Sequence, residues 1–218
     1  MATEYILYGA DHSLYTGKAR AYMRFKDLDW REVTATKEIY KTIILPKIGA
    51  PIVPVLETSE GHYVQDTTDI IDFLEARHPA VSVYPDSPVQ KLVALLLELY
   101  GDEWLVIPAM HYRWSVLDQQ RDFILSEFGR MSAPDASHEE QVAIGEKHRA
   151  CSAALCLPWV SQRRLYRRLN QFISSYWGSW TCILVSMISC WAPVPALEIL
   201  GLWVRFMRIL GVIRYPRP

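Results

Sequence analysis

From the N-terminus, short β-branched or aromatic runs alternate with longer stretches whose apolar residues recur at helical spacing. Tyr5 to Tyr8, closed by Gly9, predicts a first strand, and Asp11-His12-Ser13 then offers N-cap oxygens for a helix. From Thr16 to Lys26 the apolar positions Ala19, Tyr22, Met23 and Phe25 keep a roughly helical period, with Lys18, Arg20 and Arg24 on the wet side. Trp30 to Val33 alternates as a second strand. The run Ile52-Val53-Pro54-Val55-Leu56 is strand-like, but a central strand has no place for a proline, so the strand is expected to begin near Pro54. An X-Pro bond at a strand mouth is also a candidate cis site. After a turn at Ser59-Glu60-Gly61, Tyr63 and Val64 predict a brief further strand. Asp66, Thr67 and Thr68 then supply capping oxygens for a helix with core face Ile70, Ile71, Phe73 and Leu74, ending near His78-Pro79.

The order βαβ, a gap, then ββα predicts an α/β thioredoxin-like domain over residues 1–80. Tyr84-Pro85-Asp86-Ser87-Pro88 closes a linker over 81–88. Val89 to Leu99 then opens an all-α C-terminal domain over 89–150, its helix continuing toward Gly101-Asp102-Glu103-Trp104.

Composition narrows the class. Half of the 218 residues are apolar and the net charge is −1, which excludes disorder and a broad basic nucleic-acid footprint. The average hides a seam near residue 150: net charge is −8 before it and +7 after it, where eight arginines face one acid, Glu198. The four cysteines all follow the seam, whereas His12, His62, His78, His111, His138 and His148 all precede it, and no C-x-x-C occurs; no metal site is expected. No basic stretch followed by an apolar run opens the chain, and a cysteine-free first 150 residues suit a reducing compartment, so a cytoplasmic protein is expected.

Three stretches resemble the glutathione transferases. Ser13-Leu14-Tyr15-Thr16-Gly17-Lys18-Ala19-Arg20 looks like that family's Ser-Pro-x-x-x-Lys-Val-Arg segment, with Leu14 in place of the proline. Val53-Pro54-Val55-Leu56 looks like its cis-proline strand, and Gln65 to Leu74 like its acid-Ser-x-Ala-Ile-x-x-Tyr-Leu helix start. The resemblance covers residues 4–150. It implies glutathione as co-substrate, a small electrophile as its partner in the reaction, and a homodimer. It also implies roles: Ser13, or failing it Tyr15 or Thr16, as the hydroxyl donor to sulfur; Val53 and Pro54 as a backbone edge for the cysteinyl residue; Thr67 for a carboxylate and Asp66 for the ammonium. Trp104, His111 and Tyr112, with Trp114, are candidates for the electrophile pocket, against the plainer reading as aromatic core. No cysteine stands near Ser13 to serve a thiol-disulfide mechanism. A non-catalytic glutathione-binding or protein-interaction module is the alternative on the same fold.

The tail after residue 150 follows none of the family's pattern. Residues 172–197 hold no charge and follow Arg163, Arg164, Arg167 and Arg168, which by hydropathy reads as a membrane anchor; Pro193 and Pro195 inside the run count against it. A second reading comes from the genetic code. With the frame shifted so that the third base of each codon joins the first two of the next, Cys190 to Leu210 can encode LLGARSSTGDFGFMGPLYAHL, which resembles the family's second-domain core. Residues 151–218 are accordingly expected to be an out-of-frame translation of a transferase's C-terminal half. The helices that should bury Leu95, Leu96 and Leu97 would then be missing, with apolar surface exposed in their place.

Overall fold

The computed structural model describes residues 4–115 and 120–160. Four strands form one mixed sheet: β1 (Tyr5–Gly9), β2 (Trp30–Thr34), β3 (Val55–Thr58) and β4 (Tyr63–Gln65), in the order β2-β1-β3-β4. β1 and β2 run parallel, joined by the crossover helix α1 (Leu14–Phe25), while β3 is antiparallel to both β1 and β4. This is the thioredoxin-like α/β arrangement that the element order predicts.

Because successive strand residues face opposite ways, β1 feeds two cores. Tyr5 and Leu7 join Ala19, Tyr22 and Met23 of α1 and Ile70, Ile71 and Leu74 of α4 (Thr67–Arg77). Tyr8 faces the other side, where it packs with Ala35, Ile44 and Val55. That second layer fills the expected gap. Between β2 and β3 the chain forms α2 (Lys37–Ile39), a π-helical turn over Tyr40–Ile44 and α3 (Leu45–Ile48), capped by Thr36 at one end and left-handed Gly49 at the other. Ile39, Ile43, Ile44 and Ile48 line its inner face.

α1 begins at Leu14, two residues earlier than the periodicity suggests, with Ser13 as its N-cap. The cap of α4 is Asp66 rather than either threonine; Thr67 is the first helical residue. The predicted helix after the linker is α5 (Pro88–Leu99), followed by a π-helical turn at Tyr100–Trp104, then α6 (Val106–Ser115), α7 (Arg121–Ser132) and α8 (His138–Val160).

The chain divides into two compact units, residues 1–97 with 121–149, and residues 98–120 with 150–218. In the first unit α7 and α8 approach so closely that a Cβ on Gly129 would fall 1.8 Å from the carbonyl oxygen of Gln141. Among the described residues of the second unit, Ala109 and Trp114 are buried and Trp104 is exposed. Val89, Leu92, Leu95, Leu96, Leu97 and Leu99 on α5 are also exposed.

The uncharged run at 172–197, and the tail from residue 161 onward, lie outside the described residues, whereas residues 151–160 continue α8. No helix among the described residues is long and apolar enough to cross a membrane.

Candidate functional site

The sheet register gathers three of the sequence-derived segments at one edge. Tyr8 pairs with Val55, and Val55 pairs with Gln65, so these residues form one row across β1, β3 and β4. Just beyond that row β1 leads into the 10–13 loop, β3 is entered through Val53-Pro54, and β4 gives way to Asp66-Thr67. Adjacent strands lie about 4.8 Å apart, so the row is roughly 10 Å across. An extended tripeptide has about the same length.

Ser13 sits at the tip of α1. Its Oγ accepts from the Thr16 N–H at 3.2 Å, so the oxygen is tied to the helix while no described residue takes the hydroxyl proton. Two further contacts fix the turn: Ser13 N–H donates to Ala10 C=O at 3.0 Å, and Ala10 N–H donates to Thr16 Oγ1 at 3.3 Å. Thr16 is wholly buried, and a Cβ on Gly9 would come within 2.2 Å of its methyl, so the turn closes only over a glycine. Of the alternative hydroxyls, Thr16 is thus enclosed and Tyr15 is half-buried on α1.

The Val53–Pro54 peptide bond is cis. Pro54 is fully buried, whereas half-buried Val53 precedes the β3 ladder, so its N–H and C=O fall outside the pairing that starts at Val55. Next to it, Asp66 has φ +79° and ψ 139°, a conformation costly for any residue with a side chain, and its Oδ1 accepts from Thr68 N–H at 2.9 Å. Thr67 is buried, at the positive end of the α4 dipole. Asp66 thus holds its positive φ at the helix end where backbone N–H groups lack intrahelical acceptors.

Below the row, Glu57 accepts from both the Tyr8 and Tyr63 hydroxyls. Burial first, and then this carboxylate, push both phenols up, Tyr63 to about 12, so both stay protonated and the pair stiffens β3 against its neighbours. Neither tyrosine nor Glu57 was legible as a unit in the sequence, because the three meet only across strands.

Trp104, His111, Tyr112 and Trp114 belong to the second unit, Trp104 in the π-helical turn and the others in α6. Among the described residues no group of three or more His, Cys, Asp or Glu side chains converges as metal ligands would.

Residues 7–82 match the glutathione S-transferase N-terminal domain family. No curated protein sequence matches the chain. Among solved structures, the glutathione S-transferase of Ceriporiopsis subvermispora in complex with glutathione aligns over 95% of this chain and 86% of its own, at 14% identity and a TM-score of 0.56. A glutathione transferase homologue from Sulfitobacter with bound glutathione aligns over 97% and 86%, at 13% identity and a TM-score of 0.50. The N-terminal part of this chain has a thioredoxin-like fold whose residues 7–82 match the glutathione S-transferase N-terminal domain family, and an all-helical region follows it.

Proposed function

We propose that the chain binds glutathione across this sheet edge and activates its thiol for attack on a small electrophile. The observation that carries the reading is the row Tyr8, Val55, Gln65, beyond which the loop leading to Ser13, the Val53-Pro54 segment and the start of α4 all leave one sheet edge about as wide as a tripeptide. The backbone of Val53 pairs with the cysteinyl residue as an added strand. The first N–H groups of α4 at Thr67 hold the γ-glutamyl carboxylate, and Asp66 faces its ammonium. Ser13 donates its proton to sulfur, and the α1 N-terminus lowers the thiol's pKa. The thiol proton leaves to solvent; the thiolate then forms a carbon–sulfur bond with the electrophile, adding to it or displacing its leaving group.

The likeness of fold to two transferases with glutathione bound supports the same reading. The functional form is a cytoplasmic homodimer, using neither metal nor nucleic acid. The test is titration calorimetry of reduced glutathione into the full chain, paired with turnover of an aromatic electrophile. A hydrogen bond to a charged group contributes about 1.5–3 kcal/mol, so Ser13→Ala should lower turnover ~10- to 100-fold. Binding without turnover would favour the non-catalytic module; no binding would overturn the proposal.

A further inference from the structure

The loop that carries Ser13 is held from outside by a helix more than a hundred positions further along the chain. Asp11 Oδ2 accepts from Arg130 Nη2 of α7 at 2.8 Å. The same guanidinium donates from Nη1 to Thr34 Oγ1 at 3.2 Å, at the end of β2, and from Nε and Nη2 to Glu127 at 3.2 and 2.6 Å. Arg130 therefore joins three elements through one rigid planar group. Beside it, the ring of His12 is buried against Phe128 of α7, with centroids 4.2 Å apart. The two residues that precede Ser13 are both in the grip of one turn of α7.

The other hydrogen bonds of the loop do not supply this constraint. The bonds among Ala10, Ser13 and Thr16 shape the turn internally but do not fix it against the helical region. Arg20 also reaches Asp11, at 3.3 Å, yet its guanidinium is already committed to Glu32 through two bonds of 2.6 Å. In the network Arg20 and Arg130 face Asp11, Glu32 and Glu127, so every cation has a carboxylate against it. Two guanidiniums thus face three carboxylates, and Arg130→Lys, which keeps the cation, separates the charge of Arg130 from its geometry.

We infer that Arg130 is a positioning residue: by clasping Asp11 it sets where the Ser13 hydroxyl stands relative to the Val53 edge, and so couples α7 to the sulfur site. The inference rests on the function proposed above. Partly exposed ion pairs add little to stability, so Arg130→Met should fold, while small displacements of a reacting group cost much in rate.

The experiment is a double-mutant cycle on the full chain. Arg130→Met should lower kcat about tenfold and leave the KM for glutathione within about twofold, because Thr67 and Val53 are untouched. In a Ser13→Ala background the same substitution should cost nothing more, since it acts through the hydroxyl. Arg130→Lys should not rescue, because a point charge cannot bridge Asp11, Thr34 and Glu127 together. Hydrogen exchange at residues 10–17, read without glutathione, should quicken in Arg130→Met. Additive losses in the cycle, full rescue by lysine, or unchanged exchange would each overturn the inference. If Ser13→Ala leaves wild-type turnover intact, the proposed function fails first, and exchange alone then decides whether α7 braces the loop. Should Arg130→Met not fold, Asp11→Asn probes the same contact from its other end, with the same expected losses.

Discussion

Replacing Lys26 by methionine removes the cation that ties the end of α1 to the chain leaving α4. The Lys26 side chain is 2% exposed, and its Nζ donates to the carbonyls of His78, Ala80 and Val81 at 2.6, 2.9 and 3.2 Å. It also meets Glu75 Oε1 at 3.0 Å, a carboxylate 9% exposed that further accepts from Tyr22 and Ser82. Val81 has φ +54°, unfavourable for a β-branched residue, and the ammonium is the group that holds its carbonyl in place. Methionine preserves the stem but leaves the His78 carbonyl and the Glu75 carboxylate short of a donor, while the exposed Ala80 and Val81 carbonyls are open to water. Breaking a buried pair by removing one partner costs about 3–5 kcal/mol, against about 0–1 kcal/mol for an exposed pair such as Arg121–Glu146. Equilibrium urea denaturation of Lys26→Met beside Arg121→Met would measure the contrast. A loss below about 1 kcal/mol at Lys26 would refute the claim that this cation secures the linker.

The pH dependence adds a second arm. Burial pushes the Glu75 carboxyl up, but hydrogen bonds from Ser82, Tyr22 and Lys26 together bring it below its ordinary value of 4.5. A carboxylate lowered on folding contributes stability above its unfolded value, and that contribution is lost as pH falls through the folded one. Wild-type stability should therefore fall with acid below pH 4.5, and the slope should be shallower in Lys26→Met.

Three further outcomes are expected. Gly129→Ala places a methyl against Gln141 backbone at 1.8 Å, so α7 and α8 must part; thermal unfolding should show one of the largest losses of any single substitution in the first unit. At Asp66, Ala should cost about 1 kcal/mol of cap while leaving the positive φ strained, whereas Gly should be close to neutral in stability; both should raise the KM for glutathione. Sequencing of the coding DNA around codon 150 is expected to expose a displaced frame, and an in-frame read encoding residues 151–218 would end that account of the tail.

Legibility in the sequence followed the range of the interaction. The four strands, α1 and α4 could be read because each carries its own period and its own cap, and cis Pro54 because a proline beside a β-branched run must stand at a strand mouth. Residues 37–48 escaped because Pro46 suggests a break and the π-helical turn at Tyr40–Ile44 resets the helical period, so Ile39, Ile44 and Ile48 match no uniform template. Thr36 as a cap and Gly49 as a stop were the available signals. The clasp of Arg130 on Asp11 spans 119 positions, and no local pattern foretells such a contact. In the same way Ser13 was visible as a cap, but that its loop leaves the same sheet edge as Val53-Pro54 and Asp66-Thr67 follows only from strand register.

The most direct test of the central claim is the thiol titration of glutathione bound to the full chain, followed by ultraviolet absorbance of the thiolate. The account predicts a thiol pKa below that of free glutathione, returning toward the free value in Ser13→Ala. A bound thiol that titrates as it does in solution, or a shift that survives Ser13→Ala unchanged, would contradict it.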